Sequence, residues 1–73
     1  MKYPNAERIK MIRRQYPEGS RVRLIQMDDA QAPPPGTEGM VVGVDDIGSL
    51  LVNWDNGSGL NVILGVDRIE KLQ

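Results

Sequence analysis

Residues 35–56, PGTEGMVVGVDDIGSLLVNWDN, read as two short apolar strands punctuated by turns, and this stretch decides the fold. Pro35-Gly36 suits a type II turn, in which Pro presets the first central φ and Gly supplies the positive second one. From about Thr37 or Gly39 to Val44 the chain is strand-like, and Gly43 in its interior marks a bulge or tight bend of the kind that lets small sheets coil. Asp45-Asp46-Ile47-Gly48 makes the next turn. Ser49 to Asp55 forms the following strand, with Leu50, Val52 and Trp54 on one face and Leu51, Asn53 and Asp55 on the other. Asn56-Gly57 then signals a hairpin, because both residues tolerate the positive φ of a type I′ turn. Nothing in the stretch has the form of a catalytic motif.

Upstream, Arg21 to Met27 alternates Val22 and Leu24 with Arg21 and Arg23, as a half-buried strand does. Asp28 and Asp29 end it. AQAPPPGTEG follows, and its three consecutive prolines cannot donate ladder hydrogen bonds, so it is a stiffened loop. Downstream, Gly59 to Leu64 is expected as a strand with Leu60, Val62 and Leu64 in phase. Gly65-Val66-Asp67 turns the chain into a last strand, Arg68 to Leu72, with Ile69 inward. Five short strands with one long first loop describe an SH3-like five-stranded small barrel.

Ahead of the strands, Asn5 to Tyr16 carries Ile9, Ile12 and Tyr16 at the spacing of one helical stripe, with Asn5 as N-cap and Glu7 in the first turn. Arg8, Lys10, Arg13 and Arg14 surround the stripe, and Pro17 and Gly19 stop it. A basic amphipathic α-helix of about three turns is marginal alone in water, so it is expected to gain its order by docking. The chain thus divides into a helix over residues 1–18 and a β-domain over residues 19–73, mainly β in class.

Composition narrows the chemistry. A chain of 73 residues with 40% hydrophobic and 26% charged side chains has room for one core. Phe is absent and Trp54 is the single Trp, so that core is aliphatic. There is no Cys, which excludes disulfides, thiolate metal sites and a Cys nucleophile, and no His for acid–base work near neutrality. No serine sits in a strained nucleophile turn. Adjacent acids such as Asp28-Asp29 and Asp45-Asp46 point in opposite directions at a strand end, so no metal site and no cofactor is expected. No segment has the apolar run of a signal peptide or the roughly 18 residues of a membrane span, and the sequence is read as that of a soluble cytoplasmic protein. A net charge of −1 hides segregation: residues 1–23 hold seven basic against two acidic side chains, +5, and residues 24–73 hold two basic against eight acidic, −6.

GSRVRLIQMDD, APPPGTEG, VVGVDDIGSLLVNWDNGSGL and GVDRI, in that order, resemble a family of small bacterial domains of unknown function, number 4314, over about residues 16–72. That resemblance implies a bacterial or mobile-element setting and carries no activity with it. More distantly, Gly36-Thr37, the strand from Gly39 to Asp45 and the hairpin from Val52 to Gly57 are similar to the barrels of ubiquitin-ligase accessory domains and ribosomal-type RNA-binding modules. Such an analogy implies binding at most.

Several apolar residues fall out of phase with the inward set: Ile25, Leu51 and Ile63, joined by Met40 and Val42 if Val41 faces inward. The register of the strand through residue 41 is open, and a slip by one exchanges its faces. We expect the helix stripe of Ile9, Ile12 and Tyr16 to cover part of this second face, in its own chain or in a second copy. The function expected is a non-catalytic adaptor that binds a protein partner or itself, through Ile9, Ile12, Tyr16, Ile25, Leu51, Asp28, Asp29 and Trp54. Trp54 is either an interface anchor or the largest core residue. The alternative is nucleic-acid binding, with Arg8, Lys10, Arg13, Arg14, Arg21 and Arg23 on phosphates. Against it stand the acidic β-domain and the lack of an aromatic pair for stacking bases.

Overall fold

The computed structural model describes residues 6–72. The N-cap assigned to Asn5 lies outside them. Helix α1 spans Ala6–Gln15, and four strands follow: β1 Arg21–Gln26, β2 Glu38–Val44, β3 Leu50–Trp54 and β4 Arg68–Lys71. They form one antiparallel sheet in the order β3-β2-β1-β4. The fold is therefore mainly β with one helix, but the sheet is open and has four strands, where the sequence predicts a closed barrel of five.

The missing strand has an identifiable cause. Val62 exchanges both backbone hydrogen bonds with Leu50, at 2.8 and 2.9 Å, and so begins a ladder along the free side of β3. The next rung would join Val52 to Leu60, and it is absent among the described residues. The Leu60 carbonyl instead accepts a hydrogen bond from Nε1 of Trp54 at 2.9 Å, which satisfies the buried indole and turns that carbonyl away from the ladder. The side-chain phase of this segment is as expected, with Val62 buried and Leu60 and Leu64 half-buried. Its backbone pairing is not.

The open register of β2 resolves with Val41 inward. Val41 opposes Val52, Gly39 opposes Trp54, and Met40 emerges on the outer face at 40% exposure. A Cβ on Gly39 would stand 2.8 Å from Cε3 of Trp54 and 2.9 Å from the Asn53 carbonyl, so the inward phase is fixed partly by a position that only glycine fits. The register shifts between Val41 and Gly43, where the interior glycine signals a bulge. The 56–57 hairpin differs from expectation: only Gly57 has positive φ, at 94°, which rules out type I′. Gly57 N–H donates to the Trp54 carbonyl and Trp54 N–H to the Ser58 carbonyl, both at 2.9 Å, giving a type I turn followed by a left-handed glycine. Asn56 Oδ1 accepts from Ser58 N–H at 3.0 Å, and this local bond favours the right-handed conformation at Asn56.

Inside the sheet, Val22, Leu24, Val41, Leu50, Val52, Trp54 and Val62 form one core, and Ile12 of α1 belongs to it at 4% exposure. Tyr16 packs against the same cluster. The helix therefore closes the inner face of its own sheet, and the expectation that its stripe covers the out-of-phase outer residues is corrected. Pro17 to Ser20 explains the path: Ser20 N–H and Oγ both reach the Pro17 carbonyl, at 3.0 and 2.6 Å, around a positive-φ Gly19. Gly19 N–H donates to the Val41 carbonyl and Val41 N–H to the Ser20 carbonyl, so the helix–strand junction is tied to the middle of β2.

Candidate functional site

The residue types predicted for binding separate into three places. The outer face of the sheet carries an alternating chain of charges beside the exposed Met40. Asp55, just past β3, receives Nη2 of Arg21 at 2.6 Å; Arg21 reaches Glu38 at 3.6 Å; Arg23 reaches the same Glu38 at 3.5 Å and Glu70 of β4 at 2.9 Å. Strand order brings these five side chains into a line, because Arg21, Arg23, Glu38 and Glu70 all lie at outward positions of neighbouring strands. The hydrogen bond from Arg21 holds the Asp55 carboxyl below the ordinary carboxylate range, and the same bond raises the Arg21 guanidinium. Two of the six cations assigned to nucleic acid are thus engaged by carboxylates of their own chain.

The interior holds Trp54 and Ile12, at 3% and 4% exposure. Neither side chain presents a surface to a partner, and the core reading of Trp54 is the one the packing supports. Ile9 and Tyr16 are half-buried, Leu51 is half-buried on the outer side of β3, and Ile25 is 43% exposed at the end of β1. The acids of the loops serve the backbone. Asp29 accepts from Gln31 N–H at 2.8 Å, and Asp45 Oδ1 accepts from Ile47 and Ser49 N–H at 3.1 and 2.8 Å. Asp28 is exposed. No cluster of three or more metal-ligating side chains occurs among the described residues.

The third place was not legible as a unit from sequence. Between the C-terminal half of α1 and the bulged end of β2 lies an open groove of about 320 Å³, lined by Arg13, Tyr16, Pro17, Glu18, Val42 and Val44, with Gly43 at its floor. Arg13 bridges it by donating from Nη2 to the Val44 carbonyl at 3.4 Å. Val44 opposes Leu50 at a position where Leu50 turns its own N–H and carbonyl to Val62, so the Val44 carbonyl faces the helix side and is open to that contact. Farther along the same helix a shallow hollow is bordered by Met11, Arg14 and Gln15, and Met11 is 63% exposed. Gly43 and the out-of-phase Val42 were the signals in the sequence; what they lacked was the direction from which α1 arrives.

The family described as Domain of unknown function (DUF4314) matches this chain over residues 5–72. The chain belongs to that family. The DUF4314 match begins upstream of the resemblance read from sequence motifs and takes in α1, in agreement with a helix that is built into the core. No curated protein and no solved structure matches the chain. No helix among the described residues of this DUF4314 domain is long and apolar enough to cross a membrane.

Proposed function

We propose that this chain is a non-catalytic protein-interaction module, an adaptor or accessory component of a bacterial or mobile-element system, that grips an acidic segment of a partner on the α1–β2 groove. The supporting observation is the groove itself, with an aromatic and two valine walls and the cation Arg13 reaching across it, while Met11 and Arg14 border a separate hollow on the same helix. Apolar walls supply non-directional attraction, while the Arg13 guanidinium at the rim, with the exposed Arg14 next to it in the chain, selects for carboxylates and speeds encounter. The groove lies at the low end of the roughly 300–1,000 Å³ of small-ligand sites and is open along its length, which suits side chains of an extended segment better than an enclosed small molecule. A cytoplasmic setting belongs to this reading and rests on the cysteine-free sequence.

Among the described residues six large hydrophobics stand exposed, Met11, Ile25, Met40, Ile47, Ile63 and Val66, against eight in the core. Single exposed apolar residues need no explanation on any protein, so the weight of the proposal falls on the groove and its charges rather than on that ratio.

Nucleic-acid binding is the second reading, and the exposure of Arg8, Lys10, Arg13 and Arg14 along one helix favours it. Affinity capture from the native host with the wild-type chain and with an Arg13→Glu/Arg14→Glu variant separates the two. The adaptor reading expects a protein retained by the wild type and lost with the variant. Capture of the same proteins by both chains contradicts it, and a salt-sensitive shift of a labelled oligonucleotide at about 50 mM salt, abolished in the variant, supports nucleic acid instead.

A further inference from the structure

We propose that β4 is a self-complementary edge, and that two copies of this chain join through it, antiparallel and centred on Ile69, into one continuous eight-stranded sheet. The inference uses a surface remote from the α1–β2 groove and does not rest on the function proposed for that groove.

β4 is the terminal strand of the sheet, paired on one side only. Which of its backbone groups face outward follows from β1. Leu24 sends its N–H to Thr37 and receives Gly36 N–H on its carbonyl, so both of its groups point toward β2. Its partner in β4, Ile69, therefore stands in a non-hydrogen-bonded pair and directs its own N–H and carbonyl away from the sheet. Leu72 N–H reaches the Arg21 carbonyl at 2.8 Å, which sets the same alternation: Glu70 and Leu72 face β1, while Ile69 and Lys71 face outward. No described residue hydrogen-bonds the outward groups of Ile69 or Lys71. Such a row is a template for another strand.

A two-fold axis between antiparallel strands can pass through a hydrogen-bonded or a non-hydrogen-bonded pair, so every position from Asp67 to Lys71 is a candidate centre, and centring on Arg68 or on Glu70 sets like charges directly opposite each other. Asp67 has already spent its N–H on the Ile63 carbonyl. Centring on Lys71 sets that cation against its own copy. Centring on Ile69 places Ile69 opposite Ile69, Arg68 opposite Glu70, and Asp67 opposite Lys71, each of the charged pairs occurring twice and each of opposite sign. Alternation of faces is respected as well: Arg68 and Glu70 are outward and exposed, whereas Ile69 is half-buried on the core side, so the two isoleucines extend the inner apolar layer across the axis. Capacity remains on both acids. Glu70 uses Oε1 for Arg23 and Asp67 uses Oδ2 for Ile63 N–H, leaving the second oxygen of each for the other copy. Exposed charges usually protect an edge from foreign strands, and these do so too, because their order of signs matches this strand in one register.

Sedimentation velocity over a concentration series and isotope-filtered NMR on a mixture of labelled and unlabelled chain test the proposal. It expects a concentration-dependent rise from 8.1 kDa toward twice that mass. It also expects a cross-chain Hα–Hα contact between Arg68 and Glu70, and slowed amide exchange at Ile69 and Lys71 in the dimer. Arg68→Glu turns both Arg68–Glu70 pairs repulsive and should weaken association at least tenfold, with the monomer's melting temperature serving as the control for folding. Ile69→Pro removes the two central donors from an edge position that tolerates proline and should abolish it. A monomer at every concentration up to about 1 mM, a dimer unaffected by either substitution, or cross-chain contacts mapping elsewhere would each overturn the proposal.

Discussion

Asp55 and Arg21 meet in a two-pronged contact, Oδ2 to Nη2 at 2.6 Å and Oδ1 to Nη1 at 3.2 Å, that joins the end of β3 to the start of β1 across the intervening β2. Because the folded chain holds the Asp55 carboxyl below its ordinary value of 3.8, the contact's stabilisation is fully present above that value and is lost as pH falls through the lower folded one. Asp55→Asn should therefore lower the melting temperature slightly at pH 7 and leave it unchanged in strong acid. Both residues are solvent-accessible, so the difference should shrink further in 1 M salt. Thermal melts at the two pH values and two salt concentrations check this.

Ile12 is the helix's anchor in the core. Ile12→Ala should cost about 2–5 kcal/mol, the usual range for truncating a buried isoleucine, and removing residues 1–16 should lower stability comparably. Urea unfolding followed by Trp54 fluorescence reads both. A truncation that unfolds at the wild-type midpoint would mean that α1 is an appendage.

Gly39 lies beneath Trp54 with no room for a methyl group: Cβ would meet Cε3 of Trp54 and Cγ1 of Val52 at 2.8 Å and backbone oxygen at 2.9 Å. Gly39→Ala should destabilise by about 1–3 kcal/mol despite the helpful loss of glycine freedom in the unfolded chain. Gly43→Ala, whose Cβ would find its nearest neighbour at an ordinary 3.6 Å, is the control and should cost less.

Much of this architecture could be read in the sequence wherever one local device decided the outcome. Pro35-Gly36 turns as expected, with Gly36 at φ 94° and Thr37 N–H on the Pro34 carbonyl at 3.1 Å. Val22 with Leu24, and Leu50 with Val52 and Trp54, point inward as their alternation requires. Reading failed where two groups competed for one partner. Leu60 alternates as a strand residue should, yet its carbonyl goes to the indole of a residue six positions earlier, and the fifth strand shrinks to the Leu50–Val62 bridge. The same holds for the surface. Arg21 and Arg23 look like free cations along the chain, and their carboxylate partners come from positions 38, 55 and 70, which only strand pairing brings near. The groove likewise needed the docking direction of α1, which Ile12 decides by burial and no spacing rule specifies.

The most direct test of the interaction role is amide chemical-shift mapping on the folded chain with three synthetic probes: an acidic-apolar decapeptide, its basic counterpart and a single-stranded oligonucleotide. The account predicts that the acidic peptide alone moves the amides of Tyr16, Val42, Gly43 and Val44, and that Arg13→Glu/Arg14→Glu suppresses the movement. Shifts produced by the oligonucleotide along α1, or an acidic peptide that leaves those four amides in place, would contradict it.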